Sequence, residues 1–208
     1  MRINQIGRSM VEMLGVLAII GVLSVGAIAG YSKAMMKYKL NQHAQSVNLL
    51  LNNLLQMKDT LPKPEEGTTL SYNDILNKLK LLPDGIKYVS ETSLRDKYFN
   101  IRMNAYHNRV NGQDFGGLGF YFGTKADYMA DVCRNIVFAA KENSANLDDL
   151  VTLRSKGGTN EYTDRFYGDN FCNGSTKKCL SKITLKDIDT LCVGCVDDNS
   201  CSLYVMWK

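Results

Sequence analysis

Nineteen consecutive residues, Met13 to Tyr31, carry no charge, and apolar side chains fall on every face of the helix they would form. At about 1.5 Å of rise per residue the run spans about 28 Å, the thickness of a bilayer core. From Tyr31 to about Asp59 the pattern narrows to one stripe. Met36, Leu40, Ala44, Val47, Leu51, Leu54 and Leu55 recur at steps of four and three, as on an amphipathic helix. The opposite side carries Asn41, Gln42, His43, Gln45, Asn48, Asn52, Asn53 and Gln56, polar but almost uncharged. The two patterns join without a break, predicting one helix of about 50 residues, on the order of 75 Å long. Its apolar half needs lipid or neighbouring copies, and its amphipathic half has a single stripe for a domain to cover. Pro62 and Pro64 end it, followed by the turn or linker Lys63-Pro64-Glu65-Glu66-Gly67.

Beyond residue 60 the periods shorten and alternate. A short helix is expected over Asn73–Leu82, stopped by Pro83-Asp84-Gly85. Phe99, Ile101, Met103 and Ala105 alternate with Arg102 and Asn104, the pattern of a half-buried strand. Asn111-Gly112 signals a hairpin turn. Gly116–Gly123 (GGLGFYFG) has a phosphate loop's glycines but neither its Lys-Ser/Thr nor Rossmann spacing, so it reads as a bent aromatic strand. Thr124, with Asp127 three residues on, caps a helix to about Glu142 whose buried face is Val132, Cys133, Ile136, Val137 and Ala140. A short strand at Val151–Arg154, a loop-rich stretch at 155–181 and a final strand at Leu203–Trp207 complete an α+β pattern.

The net charge of +4 is mild and the basic residues are scattered, so nothing argues for nucleic acid contact. The six cysteines are Cys133, Cys172, Cys179, Cys192, Cys195 and Cys201, five of them in the last 37 residues. Behind an export segment such a cluster reads as disulfides formed in an oxidising compartment. Six cysteines allow fifteen pairings; the working expectation closes a small loop between Cys172 and Cys179 and ties Cys133 to the C-terminal cluster. Zinc is the competing reading, with Cys192-Val193-Gly194-Cys195 as one ligand pair and Cys172 and Cys179 as a poorly spaced second. A redox CxxC would open a helix inside a βαβ unit, and the pattern around Cys192 does not suggest one. His43 and His107 are read as ordinary surface or structural residues. No nucleophile elbow, HExxH or carboxylate dyad stands out, and Asp197-Asp198-Asn199 lacks an EF-hand's length and terminal glutamate, so no enzyme and no cofactor is expected.

One carboxylate interrupts this economy of charge. Glu12 stands at the entrance of the apolar run, five residues past Gly7, where ionised groups cost roughly 2.5–3.5 kcal/mol at full bilayer depth and less near the interface. Gly7-Arg8-Ser9-Met10-Val11-Glu12 followed by an apolar helix resembles the cleavage and methylation signature of type IV pilins and type II secretion pseudopilins. The resemblance covers roughly residues 7–39. It implies that a membrane-embedded prepilin peptidase cuts after Gly7 and methylates the new amine of Arg8. It further implies that Glu12 of one subunit neutralises the amine of its neighbour and sets register between helices. Gly21 falls where the family often has a glycine that loosens the helix, worth about 1 kcal/mol relative to alanine.

Two positions depart from the family pattern. Arg8 replaces the usual apolar first residue, and as an i,i+4 neighbour it could pair with Glu12 within one chain. Ala29 stands where the family's kinking proline would be. Lys33, Lys37 and Lys39 beyond the run outnumber Arg2 and Arg8 before it, so the positive-inside count does not favour a cytoplasmic N-terminus.

The expected organisation is a leader at 1–7, a transmembrane and filament-core helix at 8–31, its amphipathic continuation at 32–60, and an α+β head at 61–208. The resemblance implies an antiparallel sheet packed on the long helix and stapled by disulfides. It also implies an inner-membrane subunit that enters a pilus or periplasmic pseudopilus, with other pilin subunits, an assembly platform and the lipid bilayer as partners. The size and C-terminal cysteines look like the larger, type IVb pilins. The alternative is a secretory signal with 13–26 as its apolar core and Ala27-Ile28-Ala29 as its cleavage site, releasing a disulfide-rich binding domain.

Overall fold

Length and apolarity at the N-terminus produce α1, which runs without interruption over Ile6–Met57. The computed structural model of the protein describes the backbone of residues 6–123, 128–156, 159–197 and 201–208, with side chains except at 6–9, 154–156, 159–162 and 195–197. The chain divides into two units, residues 1–39 and 40–208. In the first, every described side chain from 10 to 34 is exposed.

The second unit holds the core. Its portion of α1 buries His43, Ser46, Val47, Leu50, Leu51 and Leu54. The stripe is thus rotated from the expected one: Ala44 and Leu55 are half-buried and His43, assigned to the polar side, is fully buried. Of the two polar groups, one is satisfied within its own helix turn and the other packs against a ring distant in the chain. Ser46 Oγ donates to the Gln42 carbonyl (2.8 Å), and the His43 ring meets Phe99 edge-on at 5.7 Å.

Eight strands form one antiparallel sheet among the described residues: β1 (Thr69–Ser71), β2 (Ile86–Ser90), β3 (Ser93–Asp96), β4 (Arg102–Val110), β5 (Gln113–Tyr121), β6 (Asp149–Lys156), β7 (Thr159–Tyr167) and β8 (Cys201–Trp207). Their order is β2-β3-β4-β5-β8-β6-β7, with β1 also on β4. The expected final strand lies between β5 and β6 and buries Leu203, Val205 and Trp207. The glycine-rich stretch is β5, and its glycines serve close packing. A Cβ on Gly116 would lie 2.1 Å from the Trp207 indole nitrogen. The turn at Asn111-Gly112 joins β4 to β5 as the dipeptide indicated.

Three helices accompany the sheet: α2 (Asn73–Lys78), α3 (Met129–Glu142) and α4 (Leu185–Asp197). α2 is shorter than expected. Lys80 enters the left-handed region (φ 56°), and Lys80 N–H and Leu81 N–H donate to the Asn77 and Leu76 carbonyls, a Schellman closure without glycine. The strand expected from Phe99 begins at Arg102. Asn100 (φ 58°) turns the chain there, and the Asp96 carboxylate accepts from the Tyr98 and Phe99 N–H groups. α3 buries the expected Val132, Cys133, Ile136, Val137 and Ala140; its proposed cap at Thr124 and Asp127 lies outside the described residues. The loop-rich stretch 155–181 contains β7, whose polar sequence hides its strand character.

The sulfurs follow the working expectation. Cys133 bonds Cys192, joining α3 to α4, and Cys172 bonds Cys179. Cys201 is also disulfide-bonded, while the Cys195 side chain lies outside those described. Disulfide bonding leaves Cys172, Cys179 and Cys192 no thiolate for zinc, and among the described residues no three His, Cys, Asp or Glu side chains group as a metal site. The CxxC sits in the last turns of α4 rather than opening a helix.

Gly168, after β7, lies where the backbone of the 144–147 turn comes close. A Cβ there would lie 1.9 Å from the Leu147 carbonyl oxygen and 2.7 Å from that of Ser144. Both obstacles are backbone, so Gly168→Ala is expected to cost at least about 2 kcal/mol, read as a lowered urea midpoint with an unchanged slope.

Candidate functional site

Burial within the chain accounts for most of the large apolar residues of the second unit but for none of those described from Met10 to Tyr31. Thirteen large apolar side chains from Met10 to Tyr31 are exposed, from 52 % at Ile20 to 76 % at Val22. Each gains roughly 1.5–3 kcal/mol on leaving water, so together they represent on the order of 20 kcal/mol or more. That exceeds the roughly 5–15 kcal/mol net stability of a whole domain. This helix has to be covered. Within it lies a stretch long and apolar enough to cross a membrane.

Its polar atoms suit such surroundings. Ser24, in mid-segment, donates its hydroxyl to the Ile20 carbonyl (2.6 Å), so no donor is left for hydrocarbon to desolvate. At Gly15, Gly21, Gly26 and Gly30 a Cβ would meet nothing within 4 Å beyond its chain neighbours and the backbone of its own helix turns. Gly26 and Gly30 are i,i+4 neighbours, the small-residue spacing that lets two apolar helices approach closely. Gly21 is helical and uncrowded.

Glu12 is the single acidic residue of α1, and it is exposed. Gly7 and Arg8 belong to the first turn of α1; the Arg8 side chain and residues 1–5 lie outside those described.

The histidines have structural surroundings. His107 in β4 is buried, with Nδ1 2.7 Å from the Tyr72 hydroxyl, which donates to the Pro62 carbonyl (2.9 Å). Burial, reinforced by the Asp114 charge, pushes the Tyr72 phenol up to about 12, so it keeps its proton. Burial also lowers the His107 imidazole, against the opposing pull of Asp114. With Lys63 on Asp114 (2.9 Å) and Gly112 N–H on Glu66 (3.1 Å), these groups fasten the stretch after α1 onto the β4–β5 hairpin.

Compared with known protein families, with curated proteins and with solved structures, the chain matches none.

Proposed function

We propose that the protein is a structural subunit of a type IV pilus or a type II secretion pseudopilus. In this reading a prepilin peptidase cuts after Gly7, residues 8–31 hold the subunit in the bacterial inner membrane, and the same helix then packs among its copies in the filament. The observation that carries the reading is the first unit's apolar surface, exposed on all sides and bearing one carboxylate at its entrance. A lipid bilayer and a bundle of identical helices are the two environments that cover such a surface completely. Gly26 and Gly30 favour helix contact within it. Glu12 needs a cation in either setting, and the amine created by cleavage supplies one on every neighbour.

The test combines the mature N-terminus with one substitution, both in the native host. Intact mass and N-terminal peptide sequencing are expected to give a start at Arg8 with a methylated amine. Glu12→Ala is expected to lower sheared or exported filament at least tenfold while precursor cleavage continues. Glu12→Gln should behave alike, since it too removes the charge. A start at Gly30 would replace this reading with the secreted disulfide-rich domain. Normal filaments from both Glu12 variants would remove the carboxylate from the assembly mechanism.

A further inference from the structure

Three cations stand side by side across the sheet. The register pairs Lys87 of β2 with Arg95 of β3, and Arg95 with Arg102 of β4. Directly paired residues share one face with Cβ atoms about 4.5–5.5 Å apart, and like charges so placed destabilise a sheet. Among the described residues none of the three makes an ion pair. The adjacent carboxylate, Asp96, is engaged by the backbone of its own turn.

Neutral groups hold both arginines. Arg95 donates to the Asn100 carbonyl (3.0 Å), and the Arg102 guanidinium lies over the Tyr121 ring, 5.0 Å from its centroid. These contacts orient the guanidinium groups without neutralising them. Both line a cavity of about 490 Å³ whose walls include Phe99, Tyr121 and Phe122, with no acidic side chain among its described lining. An arginine offers five donors in a planar fork that matches an oxyanion two bonds at a time. Among the described residues, two forks open side by side on one cavity with no carboxylate to meet them.

We propose that this cavity binds a phosphate monoester. Arg95 and Arg102 take the phosphoryl oxygens, the aromatic wall takes the organic group, and Lys87, next in the row, adds attraction from outside. A monoester carries about −1.5 to −2 at pH 7, enough to offset both guanidinium charges where one carboxylate would leave a cation over. The monoester could be a soluble metabolite or the headgroup of an anionic lipid, and the two are separable by experiment.

The test uses the full chain in nanodiscs of neutral phosphatidylcholine. Calorimetric titration with phenyl phosphate is expected to saturate, inorganic phosphate to bind more weakly for want of the aromatic wall, and phenyl glucoside not to bind. Arg95→Gln and Arg102→Gln should each weaken phenyl phosphate at least about tenfold. Arg102→Lys, which keeps the charge and loses the fork, should recover little of it. If Arg95→Gln fails to fold, the exposed Arg102→Gln decides alone. Phosphate at matched ionic strength should raise the melting temperature of the parent chain and leave that of Arg102→Gln unchanged. Capture by vesicles containing phosphatidic acid, lost in Arg102→Gln, assigns the lipid source; phenyl phosphate binding without capture assigns the soluble one. Absence of saturable phenyl phosphate binding overturns the proposal, as does equal binding by the parent and both Gln variants.

Discussion

Replacing Cys133 and Cys192 together by alanine is expected to destabilise the second unit by about 4 kcal/mol, the largest stability effect of any change considered for this chain. The bond closes a loop across a sequence separation of 59, and in the chain-entropy account a loop of that length removes about 4 kcal/mol of disorder from the unfolded state. Cys172–Cys179, with a separation of 7, is worth about 2.5 kcal/mol by the same relation. The longer bond also ties two helices through fully buried sulfurs, so its loss leaves a small void between α3 and α4. Against a typical total of roughly 5–15 kcal/mol, losing about 4 brings unfolding close to physiological temperature. Equilibrium urea unfolding of the full chain in detergent, parent against each alanine pair, measures both values. If removing Cys172–Cys179 cost more than removing Cys133–Cys192, loop entropy would not be the controlling factor.

Between pH 6 and 4 the stability of the parent protein is expected to change little, because two large proton linkages oppose one another. Burial pushes the His43 imidazole down to about 4 from 6.5, and its Nε2 has no hydrogen-bond partner among the described residues. As pH falls through 6.5 towards 4 the unfolded chain takes up a proton that the folded chain refuses. Stability is therefore lost over that window, by about 3 kcal/mol. Asp149 behaves in the opposite sense. Burial pushes its carboxyl up to about 6, with Asp148 adding to the rise and the attractions of Arg165 (3.2 Å) and Lys208 opposing it. Here the folded chain takes the proton first as pH falls from about 6 to 3.8, and stability is gained by about 2 kcal/mol. Single substitutions separate the two. With Asp149→Asn, stability should fall by about 3 kcal/mol from pH 6.5 to 4; with His43→Leu it should rise by about 2 kcal/mol from pH 6 to 4. The slopes of urea-derived stability against pH carry the result, since each substitution also shifts the baseline. Parallel profiles for the parent and both variants would show that neither group titrates as its burial requires.

The features of this chain that were legible in advance rest on local causes. The apolar run before Tyr31, the buried face of α3 and the Asn111-Gly112 turn each follow from residues within a few positions of one another. The assembly roles proposed for Gly7, Arg8, Glu12 and Gly21 are likewise local in origin, since they rest on spacing along the chain. The helix that carries them exposes every described side chain from 10 to 34. The short Cys172–Cys179 loop was legible for the same reason, and Cys133 has its partner, Cys192, in the C-terminal cluster. One further local signal stands in the sequence. Thr184 and Asp187 cap each other reciprocally at the start of α4 (Asp187 N–H to Thr184 Oγ1, 3.2 Å; Thr184 N–H to Asp187 Oδ2, 3.1 Å), a T-x-x-D box readable from the sequence.

Elsewhere tertiary structure decided. His43 falls among amides on the polar side of the helical pattern, yet Phe99, more than fifty positions away, makes that side of the helix interior. The polar strand β7 exists because β6 pairs with it, and β8 lies mid-sheet because Gly116 leaves room for Trp207. The row Lys87–Arg95–Arg102 was invisible along the chain, since its members are brought abreast only by the registers of two strand pairs. By itself the sequence determined which segment is apolar on every face and long enough to cross a membrane, where α3 and the β4–β5 turn lie, and that the head is α+β. Partners across the sheet, the inward side of an amide-rich helix and the cavity of paired arginines were left to the tertiary structure. The physical division is one of range. Periodicity and turn chemistry act over a few residues, whereas strand register and burial are set by contacts between residues distant in the chain, whose cooperative gain outweighs local preference.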